Sequence, residues 1–123
     1  MEEKNTIGRI LAIDTGSTST KVGYFVDGKL LFEEKLIHSA EEIGRFKHVM
    51  DQDKLRRDAI MGFLQKKGIA LQDLDIIMAR GGLFTPCVTG VYDVNDDMRE
   101  VLLTSREGNH ACNLSAIIGE YYK

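Results

Sequence analysis

The sequence predicts an α/β domain in which helices cover a mixed β-sheet. Three features lead there: an opening of short apolar runs separated by turn signals, a stretch with apolar residues at helical spacing, and another short apolar run after it. The expected order is βββ-α-β-α. With 123 residues the chain suits one ordinary domain that can bury a core.

Arg9-Ile10-Leu11-Ala12-Ile13 is a buried-strand pattern ending at Asp14, and the polar stretch Thr15-Gly16-Ser17-Thr18-Ser19-Thr20 follows it as a loop. Lys21 to Val26 is rich in β-branched and aromatic residues, and Lys29 to Ile37 is a further strand. The Asp27-Gly28 pair between them is a strong hairpin signal. Ser39-Ala40-Glu41-Glu42 carries a capping box, a hydroxyl residue with a carboxylate three positions on, so a helix should start there. From Asp51 to Lys67 the positions Leu55, Ala59, Ile60, Phe63 and Leu64 recur at helical spacing and stop at Gly68.

Asp75 to Ala79 reads as a buried strand closed by the turn Arg80-Gly81-Gly82. After the single proline, Pro86, the runs Val94 to Leu103 and Ala111 to Tyr122 read as helices, with Asn95 and Asn109 as caps. The mixed charges from Lys54 to Lys67 are most simply a solvated helix face.

Composition excludes several classes. Apolar residues make up 43%, charged residues 28%, and the net charge is -3, which speaks against disorder and against a basic nucleic-acid-binding surface. Met1-Glu2-Glu3-Lys4-Asn5 is acidic where a signal peptide would be basic, and no apolar run is long enough for a bilayer, so a cytoplasmic location is expected. Cys87 and Cys112 lack metal or disulfide-framework spacing and read as reduced structural thiols.

The chemistry concentrates in Asp14-Thr15-Gly16-Ser17-Thr18-Ser19-Thr20-Lys21, which places a carboxylate, a glycine, a run of hydroxyls and a lysine around one turn. Such a loop can hold phosphate: Gly16 admits a close backbone and a positive φ, N–H groups and the hydroxyls of Ser17, Thr18, Ser19 and Thr20 donate to anionic oxygens, and Lys21 supplies positive charge. Asp14 is a hard oxygen ligand suited to Mg2+, directly or through water. The spacing is neither that of a Walker A loop nor that of the Rossmann glycine motif. On composition alone a solvated turn fits as well, and position after a buried strand ending in Asp favours phosphate.

Strand, Asp, x, Gly, hydroxyl-rich loop, strand is similar to the first phosphate motif of the actin-like ATPase superfamily, which is shared by sugar kinases, acetate kinases, heat-shock ATPases and actin. More of the chain resembles the butyrate kinases. The matching stretches are Arg9 to Lys21, His38-Ser39-Ala40-Glu41-Glu42 with Phe46-Lys47 and Asp51-Gln52, Arg80-Gly81-Gly82-Leu83, Tyr92-Asp93-Val94-Asn95 and His110-Ala111-Cys112-Asn113-Leu114. They run in order from about residue 9 to the end of the chain. The butyrate and acetate kinases generally have asparagine at the position of Asp14, so the charge beside the metal differs, and a serine usually stands where this chain has Cys112.

The resemblance implies a ribonuclease H-like, actin-type lobe, with residues 1–123 forming an incomplete N-terminal lobe of a two-lobe carboxylate kinase whose second lobe is absent. It implies ATP and Mg2+ as cofactors, a short-chain carboxylate as substrate, neither nucleic acid nor membrane as partner, a homo-oligomeric parent protein, and a fragment inactive by itself. Arg80, with Gly81 and Gly82 behind it, would take the carboxylate or the transferring phosphoryl group. Read from its neighbours alone, Arg80 is as well a surface arginine after a strand. His110, at an expected helix start, would reach the phosphoryl group as a histidine does in the acetate kinases, although capping is the commoner role at such a position. Two further readings stand beside the kinase: a conformational ATPase resembling the activators of 2-hydroxyacyl-CoA dehydratases, and a non-catalytic half-lobe.

Overall fold

A computed structural model describes residues 8–80, 90, 93–104 and 110–122. The expectations for Met1 to Asn5, Pro86, Cys87 and Asn109 lie outside these residues. Among the described residues four strands, β1 (Arg9–Thr15), β2 (Ser19–Val26), β3 (Lys29–Ile37) and β4 (Ile76–Ala79), form one sheet in the order β3-β2-β1-β4. β1 is antiparallel to β2 and parallel to β4, and β2 is antiparallel to β3, so the sheet is mixed, as expected. The parallel β1–β4 pair requires a crossover, and the chain uses it to carry helices onto the sheet.

Asp27 (φ 51°) and Gly28 (φ 83°) both adopt left-handed backbone, the geometry of the tight turn whose twist matches its strands. One face of the sheet is buried through alternation: Leu11, Ile13 and Thr15 on β1, with Thr20, Val22 and Tyr24 on β2. Between Tyr24 and Phe25 the β2–β3 register shifts, and the Tyr24 and Phe32 rings stack beside the shift with centroids 6.2 Å apart.

The short helix α1 (Ala40–Gly44) carries the expected capping box, in which Ser39 Oγ accepts from the Glu42 N–H and the Glu42 carboxylate accepts from the Ser39 N–H. A 3-10 turn, Val49–Gln52, occupies the start of the expected second helix, and α2 runs from Asp53 to Lys67. The His48 imidazole accepts the Met50 N–H there, so the chain enters α2 through a tighter turn than the sequence spacing suggests. Gly68, left-handed at φ 69°, ends α2. Helix α3 (Asp96–Leu103) starts at Asn95, whose Oδ1 accepts the Met98 N–H. The last helix, α4 (Leu114–Tyr121), follows a 3-10 turn at Ala111–Asn113.

α2 packs over β2 and β3, α4 packs over β1 and β4, and α3 lies against α4. The core joins Leu11, Ile13 and Val22 to Ile60, Phe63, Leu64, Leu114 and Ile118. Fully burying side chains of this kind contributes about 1.5–3 kcal/mol each. The charged run of α2 is not wholly solvated as expected: Arg56 is fully buried on the same stripe as Ile60 and Phe63. None of the described helices is long and apolar enough to cross a membrane.

Candidate functional site

β1 and β4 run parallel, and their carboxyl ends lie side by side, the place where open α/β sheets bind ligands. β1 continues through Asp14 to Thr15, so the loop of the sequence reading narrows to Gly16, Ser17 and Thr18. Ser19, Thr20 and Lys21 already belong to β2. The Gly16 N–H donates to the Ser19 carbonyl at 2.8 Å, which closes the turn.

Gly16 does not adopt the positive φ expected of it; the positive-φ glycines among the described residues are Gly28 and Gly68. An added Cβ would stand 3.3 Å from Ser19 Oγ, a tight contact that the Ser19 side chain would have to relieve by a small shift. Ser17 and Thr18 are exposed, and among the described residues their N–H groups have no acceptor. Two free amides and two hydroxyls at a tight turn can bind an anionic oxygen.

Strand alternation sorts the other candidates by face. Asp14 pairs with Lys21 in register and lies on the face without helices among the described residues, where Arg80 follows β4 beside it. Arg80 Nη1 stands 3.3 Å from Asp14 Oδ1, an exposed ion pair that contributes about 0–1 kcal/mol and can open for a ligand. Lys21 leans along β3, with Nζ 3.7 Å from Glu33 Oε2, rather than over the turn. Gly81 and Gly82 lie outside the described residues.

Thr20 is turned to the opposite, buried face. Its hydroxyl lies 2.8 Å from His38 Nε2 and accepts from Arg56 Nη1 at 3.3 Å, so in this chain it anchors the turn from below. Thr15 is buried too: its N–H donates to Ser115 Oγ at 2.9 Å and its hydroxyl to the Ala111 carbonyl at 2.6 Å. That tether brings the start of the last helical segment to the end of β1. His110, next to Ala111 in the chain, is exposed and accepts the Cys112 N–H at Nδ1, 3.0 Å away, which makes it the cap of the 3-10 turn.

Beneath the turn lies a buried polar network that sequence reasoning did not find. All five N–H bonds of Arg56 are used: Nε and Nη2 donate to Gln52 Oε1, Nη1 to the Ser19 carbonyl at 2.8 Å and to Thr20 Oγ1, and Nη2 to the Ser17 carbonyl at 3.2 Å. Burial pushes the Arg56 guanidinium down to about 10, so it stays charged at neutral pH. Burial, and then the Arg56 charge, hold the His38 imidazole below its ordinary 6.5 against a smaller upward pull from Glu42. A neutral His38 with its Nε2 unprotonated accepts a hydrogen bond from the Thr20 hydroxyl without adding a second positive charge. The available signal was position: Arg56 stands four residues before Ile60 and seven before Phe63.

A divalent ion at this site would rest on Asp14, water and ligand phosphates, because among the described residues no group of three or more His, Cys, Asp or Glu side chains converges. That donor set fits Mg2+, which commonly keeps several waters and takes one or two carboxylates with substrate phosphates.

An open mixed sheet with flanking helices and a hydroxyl-bearing turn after its first strand defines an α/β lobe compatible with part of an actin-like ATPase. No family model matches the chain. Among curated proteins it is 44% identical over 110 residues to Butyrate kinase 1 of Clostridium acetobutylicum, covering 89% of this chain and 31% of that protein. It is 43% identical over 111 residues to Probable butyrate kinase 1 of Thermotoga maritima, covering 90% of this chain and 31% of that one. The chain is thus a relative of the butyrate kinases, as the motifs implied, and it spans about a third of the length of these relatives.

Proposed function

We propose that the chain forms part of a short-chain fatty acid kinase, one lobe of a two-lobe protein that transfers phosphoryl between ATP and butyrate or a similar carboxylate. The observation that carries this reading is the convergence of Asp14, the Ser17–Thr18 turn and Arg80 at the carboxyl ends of β1 and β4, in a relative of the butyrate kinases. By itself the chain is expected to be inactive. The reading includes a cytoplasmic protein.

In the proposed reaction a carboxylate oxygen attacks the γ-phosphorus of ATP, the bond from that phosphorus to the β–γ bridging oxygen breaks, and ADP leaves as an acyl phosphate forms. The carboxylate is its own nucleophile, so the protein has only to align two anions and offset their charge. The Ser17 and Thr18 amides and hydroxyls hold phosphate oxygens. Arg80 opens from Asp14 and presents its planar fork to the carboxylate or to the transferring group. Gly81 and Gly82 would admit the ligand beside it, and His110 would approach the phosphoryl group from the start of the last helical segment. Lys21 swings from Glu33 to add charge. Asp14 would hold Mg2+ through water, and the ion would supply charge neutralisation across the phosphates.

The test replaces the matching segment of the Clostridium acetobutylicum relative with this chain and traps acyl phosphate with hydroxylamine, using ATP, Mg2+ and a panel of short carboxylates. A reacting graft supports the reading. Arg80→Ala should then lower turnover at least about 100-fold with little change in stability. A folded graft that forms no acyl phosphate from any acid overturns the reading, and an unchanged rate in the variant removes Arg80 from the site.

A further inference from the structure

We propose that Arg56 is a positioning residue for the anion site: from beneath the sheet it draws the Ser17 and Ser19 carbonyls inward, which turns the Thr18 N–H outward, and it sets a buried positive charge behind the bound phosphate oxygens. The inference rests on the turn being the phosphate site proposed above.

Geometry supports the first half. Arg56 Nη2 and Nη1 reach the Ser17 and Ser19 carbonyls at 3.2 and 2.8 Å. No cis peptide is present among the described residues, and in a trans peptide the C=O and the following N–H point in opposite directions. An inward Ser17 carbonyl therefore fixes an outward Thr18 N–H. Thr18 is held from its other side as well, since its carbonyl accepts the His38 N–H at 2.8 Å.

The charge supports the second half. A buried cation is ordinarily matched by a carboxylate, because an uncompensated one is costly to desolvate. Arg56 is fully buried, yet among the described residues it forms no ion pair; every acceptor it uses is a carbonyl, a hydroxyl or the Gln52 amide. A neutral donor would tether a turn at lower desolvation cost. An arginine in that place fits a compensating negative charge arriving from outside, on the exposed side of the same peptides.

The test uses the 123-residue chain, labelled with nitrogen-15 and titrated with sodium tripolyphosphate while the Ser17 and Thr18 amide signals are followed. Arg56→Met and Arg56→Lys are compared with the unaltered chain, and urea unfolding is measured for each. The expected result is saturable movement of both amides in the unaltered chain, and binding weaker by about tenfold or more in a cooperatively folded Arg56→Met. Arg56→Lys, which keeps the charge and loses the planar fork, should fall between the two. Either folded variant binding as tightly as the unaltered chain overturns the proposal and leaves Arg56 a structural tether. Should Arg56→Met fail to fold, the lysine variant decides alone. If the two amides of the unaltered chain do not respond, the phosphate-site reading itself fails and the proposal with it.

Discussion

Replacing Ser115 with alanine removes the oxygen that joins α4 to the end of β1. Thr15 and Ser115 are 1% and 0% exposed, so water cannot take over the lost bonds. The Thr15 hydroxyl has one proton and gives it to the Ala111 carbonyl, so the Ser115 hydroxyl must donate to Thr15 Oγ1, 2.7 Å away, while Ser115 Oγ accepts the Thr15 N–H. Ser115→Ala therefore loses two hydrogen bonds and leaves a buried backbone N–H unpaired. An unsatisfied buried donor costs about 1–3 kcal/mol, and the total loss should be about 2–3 kcal/mol. Urea unfolding followed by circular dichroism should show the midpoint falling by about 1 M with an unchanged slope. Adding Thr15→Val should cost less than the two single changes together, because both act on one network. A loss under about 0.5 kcal/mol at constant slope would refute the account of this tether.

Gly68→Ala should destabilise the chain by about 1 kcal/mol through left-handed backbone alone, because nothing lies within 4 Å of the added Cβ; thermal unfolding at an unchanged midpoint would contradict this. His38 is held neutral in the fold, so the unfolded chain binds its proton more readily. Its contribution to stability is complete above pH 6.5 and is lost as the pH falls below that value. The melting temperature should decline on acidification through that window more steeply in the unaltered chain than in His38→Gln, and parallel profiles would contradict the assignment. The effect belongs to burial beside Arg56 and weakens if Arg56 is replaced.

Local chemistry made much of this protein legible in the residue order. Alternating apolar residues, the Asp27-Gly28 pair, the Ser39–Glu42 box and the stop at Gly68 each act over a few residues, and the strands, the hairpin, α1 and the end of α2 follow them. The position of Asp14 near the end of β1 and the turn that follows it were legible for the same reason, and the run of family motifs led to the butyrate kinases, a resemblance that the comparisons bear out. Tertiary structure alone decided which face each side chain takes. One step along a strand reverses its side, so Thr20 is buried on Arg56 and His38 while its neighbour Lys21 shares the open face with Asp14 and Arg80. Arg56 looked like part of a solvated charged surface because nothing in its own segment supplies its partners. Those partners are carbonyls of a turn 37 and 39 residues away, and only packing α2 against the sheet brings them within reach of its guanidinium.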